Sequence, residues 1–487
     1  MIILITLVGI AVFVAIFGYI FQRHRYSFWK TRGVFQEVPN LWFGKKTQYT
    51  KDFQRNLYLK YKNCGDPFIG YYFYHRPVAL IIDLDLVKNI FIKDFQYFSD
   101  RGFGHNGVKD DPLGQNILFL DGAPWRALRH KLSPTVTTNK MKALMPDLLK
   151  VGQDMSYVIS KKIETDPLID FRKLITCFTT DVVGKCVLGI DYNTLSNPDA
   201  EICHILETYM DGFTREPFLE KSPKFPYFSI KWKLNLTPKS VSIYFMNVLQ
   251  QIVKKRKEEK IFRKDFLTFI MELDSNMSIN EIAASAFSYF IGGFHNNATA
   301  LTITLYQLAL NPLIQSKLRK EILSVLEKHN NEITYESLQE MPYLEMVINE
   351  SLRTLPITPT ISRMCVQDYK FGETNFVIPA GTKVHVPLNG IHNNPDIYPN
   401  PDEFDPQRFT KENIAKRHAC SFMPFGDGPR NCIGLRFSML ETKIGVAEVI
   451  REFKLSKCEK TCVPLKMDPN SVVSVPLDEI LLKVERI

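Results

Sequence analysis

No Gly/Ser-rich linker, low-complexity block or internal repeat interrupts the 487 residues, so nothing marks the chain as several domains or as a solenoid. There is no CxxC pair and no Cys/His cluster, and structural zinc therefore has no candidate ligands. The nine cysteines are odd in number and scattered from Cys64 to Cys462, a poor basis for a disulfide framework. The net charge is only +9 and comes with no nucleic-acid-binding motif, so no nucleic acid is expected as a partner. What is present is an ordinary globular balance, 45% hydrophobic and 23% charged, consistent with one large domain.

One segment departs from that balance. Residues 1–21, MIILITLVGIAVFVAIFGYIF, hold no charge and are long enough to cross a hydrocarbon core as a helix of about 20 residues. A cleaved signal peptide has a basic start, a shorter apolar run and a small-residue exit. Here the start is uncharged and the exit is bulky, with Phe17, Tyr19 and Phe21. The segment reads as a retained membrane anchor. Arg23, Arg25, Lys30 and Arg32 follow at once, which places the body of the chain in the cytosol, where sequons at Asn235, Asn276 and Asn297 go unused. Residues 22–46 read as a basic and aromatic tether, and residues 47–487 as a single folded domain.

From about residue 130 to 355 the chain reads as helix after helix, with short β-like runs such as 77–83 before it and a region rich in proline, glycine and β-branched residues at 357–411. The fold class is mainly α with a smaller β portion. The longest helix starts at a capping box, Ser278 with Glu281, and stops at Asn311-Pro312. At 1.5 Å per residue it is roughly 50 Å long, and its almost uninterrupted apolar character calls for burial on nearly all sides.

Residues 424–434, PFGDGPRNCIG, set Cys432 among Gly426, Gly428 and Gly434, two residues after Arg430. A cysteine thiolate can be the axial ligand of a haem iron. Such a ligand needs bare backbone that lets a flat macrocycle approach and amide N–H groups aimed at the sulfur. It also needs a cation for the propionates, which Arg430 supplies, and Phe425 would keep water from the sulfur. The plainer reading is an inert buried thiol in a turn, the usual state of a lone cysteine. The whole spacing Phe-Gly-x-Gly-x-Arg-x-Cys-x-Gly stands against it.

That spacing is the signature of the cytochrome P-450 family, which the chain resembles from about residue 26 to its end. Residues 93–113 and 132–146 look most like the insect microsomal members. ESLR resembles the family's Glu-x-x-Arg, with Glu350 and Arg353 on one helix face. PDEFDPQRF resembles Pro-x-x-Phe-x-Pro-x-Arg-Phe, whose Arg408 would complete a buried Glu–Arg–Arg cluster. WRALR resembles Trp-x-x-x-Arg, which aims Trp125 and Arg129 at a haem propionate. Arg101 and Arg363 stand where the microsomal branch often has further propionate contacts. The resemblance implies a cytochrome P-450 fold with an N-terminal transmembrane anchor helix and a haem-binding catalytic domain. It implies haem b (iron protoporphyrin) on the Cys432 thiolate, NADPH–cytochrome P-450 reductase as electron donor and cytochrome b5 as a second one. It further implies a place in the endoplasmic reticulum membrane, with the catalytic domain on the cytosolic face. The reaction implied is insertion of one oxygen atom from O2 into a lipophilic small molecule, whether xenobiotic, hormone-like or lipid.

In one place the chain departs from the family. The family's long helix carries Ala/Gly-Gly-x-acid-Thr, part of the relay that brings protons to the reacting oxygen. Here the run is GGFHNN: Gly292 and Gly293 remain, His295 stands at the acid position and Asn296 at the alcohol position. The glycines would let the helix open locally. His295, about 100° round the helix from Asn296, would act through water toward the protein surface. Three readings stay open. One is a monooxygenase in which Asn296 positions water and His295 handles protons. The second is a haem-thiolate isomerase or dehydratase that starts from an oxygenated substrate, and the third a haem-binding protein of low turnover.

Three surface and cavity expectations complete the reading. Arg126, Lys131, Lys140, Arg436 and Lys443 are expected to form a basic docking face for a reductase. Residues 216–234 interleave aromatics with lysines, as in a segment that dips into lipid headgroups. Phe103, Phe290, Phe294 and residues 356–362 are expected to line an apolar pocket.

Overall fold

The structure, a computed structural model, describes residues 2–37, 51–73, 76–103, 111–214, 237–469 and 471–487. The expected interfacial segment at 216–234 and the tether beyond residue 37 lie outside the described residues. Helix accounts for 57% and strand for 10%, the mainly α balance read from the sequence.

The first helix, Ile2–Arg25, is long and apolar enough to cross a membrane, and none of its most apolar window is buried against the body. The chain just after it is already fixed to the body. Tyr26, Trp29 and Val34 are buried, and the Trp29 indole N–H donates to the carbonyl of Tyr71 at 3.3 Å. The first half of the tether is thus seated on the sheet.

Among the described residues, three small sheets carry the β portion. The largest has the order β1-β2-β7-β4, from β1 (Phe68–Phe73), β2 (Arg76–Ile81), β4 (Ile361–Met364) and β7 (Lys383–Val386). Its β2 and β7 run parallel, whereas β4 pairs antiparallel with β7, setting Arg363 opposite Val384 and Ser362 opposite His385. A second sheet joins β3 (Leu168–Asp170), β9 (Leu481–Arg486) and β8 (Phe453–Lys457), and a two-stranded ribbon pairs β5 (Tyr369–Lys370) with β6 (Val377–Ile378). The described residues form two apolar cores, a large one among the helices and a smaller one under the four-stranded sheet.

The long helix runs Ile279–Leu310, 32 residues, or about 48 Å at 1.5 Å per residue. Its capping box forms as expected: Glu281 N–H donates to Ser278 Oγ at 3.2 Å, and Ser278 N–H donates to Glu281 Oε2 at 2.9 Å. It packs on the helix Phe171–Val183 and on the C-terminal helix Leu435–Glu452, which begins three residues after Cys432. The cysteine loop is therefore held against the long helix by the element it leads into.

Candidate active site

The cysteine loop is closed by Cys432 N–H donating to the carbonyl of Phe425 at 2.8 Å. Gly426 and Gly428 both take positive φ, 71° and 70°, where side chains are strained. A Cβ at Gly428 would fall 1.8 Å from the carbonyl oxygen of Phe91. That corrects one expectation: Gly428 admits the backbone of residues 89–93 beneath the loop, not the macrocycle. The thiol of Cys432 opens onto a cavity of about 490 Å³. Its surroundings of protein raise its pKa, while the Gly434 N–H, Arg129 and Arg101 act the other way by favouring the thiolate.

Four guanidinium groups converge on the same cavity: Arg101, Arg129, Arg363 and Arg430. Arg430 stands 4.2 Å over the Trp125 ring and donates from Nη2 to the Leu120 carbonyl at 2.6 Å and to Asp121 Oδ1 at 3.2 Å. Among the described residues, its Nε and Nη1 are buried without a partner, as is Nε of Arg363. Arg129 holds the loop itself, donating to the Asn431 carbonyl at 3.0 Å and to Asn431 Oδ1 at 2.7 Å. Burial, with Arg101 next in weight, pulls Arg430 down to about 10; burial followed by Arg101 and Arg430 pulls Arg363 well below the usual guanidinium range. Asp121 is the carboxylate that these groups share. Buried, under-compensated cations with unpartnered N–H groups call for anions. Two haem propionates beside a thiolate meet that need, so the residues present fit the group.

The long helix supplies the opposite wall. Gly292, Gly293, His295 and Asn296 line the cavity together with Arg101, Phe103, Trp125, Phe425, Gly426 and Gly434. A Cβ at Gly292 would meet nothing within 4 Å, whereas one at Gly293 would fall 2.8 Å from Val183. Three expectations are corrected here. The helix runs without interruption through 292–297, so the local opening is not seen. His295 faces the cavity beside Asn296 instead of pointing to the outer surface. Phe290 and Phe294 are core residues, Phe290 packing on Tyr192 and Phe245; the helix lines the cavity with Phe287, Ser288, Tyr289 and Ile291 instead. Of residues 356–362, all but Pro356 line it.

Other residues were not anticipated. Asn297, next along the helix, donates from Nδ2 to Glu441 Oε2 and accepts from Ser438 Oγ at 2.6 Å. Burial holds the Glu441 carboxyl well above the usual carboxylate range, so in this tie between the long helix and the C-terminal helix the neutral acid is favoured over the carboxylate. No sequence signal singles them out, because Ser438 and Glu441 share their helix with Arg436, Thr442, Lys443, Glu448, Arg451 and Glu452. Asp121 was signalled only by its place just before Gly122-x-x-Trp.

Glu350, Arg353 and Arg408 do not line the cavity and form the cluster expected of them. Arg353 Nε donates to Glu350 Oε2 at 2.7 Å with both side chains fully buried, and Arg408 Nε lies 3.4 Å from Glu350 Oε1. Arg353 also donates to the carbonyls of His392 and Pro401 at 2.9 and 2.7 Å. The basic face is thinner than expected. Arg126 and Arg436 are exposed, but Lys131 and Lys140 pair with Asp274 and Glu272 at 3.0 and 3.2 Å. Lys443 is buried and bound to Glu345 at 2.8 Å.

Comparison with known proteins matches residues 35–484 to the family described as Cytochrome P450. Similar proteins include Cytochrome P450 6a2 of Drosophila melanogaster, 37% identical over 97% of this chain and 98% of the relative. Probable cytochrome P450 6a23 of the same fly is 38% identical over 99% of each. Cytochrome P450 6A1 of Musca domestica is 35% identical over 96% of this chain and 95% of the relative. A thiol and four converging arginines in one cavity, in a fold of this order and at this level of likeness, place the chain in the cytochrome P450 family of haem monooxygenases.

Proposed function

We propose that Cys432 is the axial ligand of haem b, whose propionates lie against Arg101, Arg129, Arg363 and Arg430, and that the enzyme inserts one oxygen atom from O2 into a lipophilic small molecule. The observation that carries this reading is the set of buried, unpartnered guanidinium N–H groups in the cavity that Cys432 faces. When bound there, the haem supplies the activation of O2. The chain's own residues do the rest. Gly434 N–H tempers the sulfur, and Trp125 fixes the plane of Arg430. Phe103, Phe119, Ile291 and Ile357 give the cavity apolar walls that take lipophilic substrate and exclude water. Asn296 holds a water with its amide, and His295, on the same wall, passes protons to it.

With no flavin or nicotinamide motif in the chain, electrons come from NADPH–cytochrome P450 reductase, with cytochrome b5 as a second donor, docking where Arg126 and Arg436 are exposed. The first helix and the basic residues after it support anchoring in the endoplasmic reticulum membrane with the body on the cytosolic face. One observation favours a second reading: the relay acid and alcohol are replaced by His295 and Asn296, which suits a haem-thiolate isomerase or dehydratase, or a haem protein of low turnover. Reconstitution with reductase under isotopically heavy O2 separates them. A monooxygenase consumes NADPH and places the label in product; the other readings give almost no NADPH use and no label.

A further inference from the structure

The cavity has a second polar feature, in the wall built by the helix Lys51–Tyr61 and the four-stranded sheet. Gln54, Thr360 and His385 all line it. Thr360 Oγ1 donates to Gln54 Oε1, and Tyr71 Oη bonds His385 Nδ1. Gln54 Nε2 lies 3.2 Å from Tyr71 Oη and 3.3 Å from His385 Nδ1. An amide nitrogen only donates, so Nδ1 is the acceptor, and the single proton of a neutral ring sits on Nε2. Burial, helped by Lys383 two residues away on the same face of β7, pulls the imidazole down to about 3, so the ring is neutral at working pH.

His385 is 5% exposed, and its Nε2 takes no hydrogen-bond partner among the described residues. Its neighbour Phe73, at 6.4 Å between ring centres, offers no acceptor. Nε2 is not closed off by protein, and the cavity that His385 lines is where this donor can meet an acceptor. We infer that His385 Nε2–H is a specificity-determining donor that holds an acceptor oxygen, of carbonyl type, on an otherwise lipophilic substrate. The inference rests on the reading that this cavity takes lipophilic substrates. The bonds from Tyr71 and from Gln54, itself held by Thr360, keep the imidazole from turning, so the donor stays aimed.

The test compares a medium-chain methyl ketone with the alkane of equal length, titrated into the haem-loaded full chain by difference spectrum and by equilibrium dialysis. The wild type is expected to bind the ketone about tenfold more tightly, the value of one hydrogen bond of about 1.4 kcal/mol. His385→Phe is expected to bring the ketone down to the affinity of the alkane. The second measurement needs no variant: the carbonyl stretch of an isotope-labelled ketone bound to wild type moves to lower wavenumber than in an apolar solvent. Equal binding of the two compounds, an undiminished preference in His385→Phe, or an unshifted carbonyl stretch overturns the inference alone. Binding of neither compound overturns the reading of the cavity and the inference with it.

Discussion

Asn296 is the residue on which the proposed oxygen chemistry turns. Its amide presents a donor and an acceptor to the cavity, the same inventory as a hydroxyl. Asn296→Thr is expected to keep NADPH use coupled to product. Asn296→Ala is expected to divert several-fold more oxygen to peroxide, and a variant with wild-type rate and peroxide leakage would remove the residue from the relay. His295→Ala tests the proton route on its own: if the imidazole passes protons, the pH dependence of turnover shifts, and an unchanged profile leaves it as a wall residue. Gly428 makes a different demand. Gly428→Ala places a methyl on the Phe91 carbonyl, and the haem-loaded fraction of purified protein is expected to fall sharply while Gly292→Ala, which meets nothing within 4 Å, folds normally.

Between elements, stability below the cysteine loop rests on charges that cannot be left alone. Removing the Glu350 carboxylate strands Arg353 and Arg408, and Glu350→Ala is expected to cost about 3–5 kcal/mol in denaturant unfolding. His392 adds a pH dependence. Its Nε2 accepts from the Met423 N–H at 3.1 Å, and burial, then Arg353, pulls it down to about 3 from the ordinary 6.5. The unfolded chain therefore binds a proton that the folded one refuses, and stability is lost as pH falls from 6.5 toward 3. The loss from this group is about 1.4 kcal/mol at one unit below 6.5. His392→Asn keeps an acceptor for Met423 and is expected to flatten that part of the profile.

The cysteine loop, the capped long helix and the Glu350–Arg353 pair are legible in the sequence because their partners lie within a few residues, where spacing alone fixes geometry. The side of the long helix that faces the cavity is not. When nearly every side is apolar and buried, the pattern carries no rotation, so Phe290 and Phe294 are indistinguishable from Phe287 and Ile291. Lys443 reads as surface charge until it is found buried and paired with Glu345, 98 residues earlier, and Asn297 meets Glu441 across 144 residues.

On the scale of the whole molecule, the anchor helix, the cavity and the exposed arginines divide the work of the proposed enzyme. Reductase-supported turnover is expected to fall several-fold with added salt, and charge reversal at Arg126 and Arg436 to reduce it more than reversal at Lys131 or Lys140, which are already paired. All of this depends on a thiolate on iron. The most direct measurement is the absorption spectrum of the reduced, carbon-monoxide-bound full chain, beside that of Cys432→Ala. The wild type is expected to show the red-shifted Soret band of a thiolate-ligated haem and Cys432→Ala to lose it. A wild type without that band, or a Cys432→Ala variant that keeps it, would contradict Cys432 as the ligand and the oxygen chemistry built upon it.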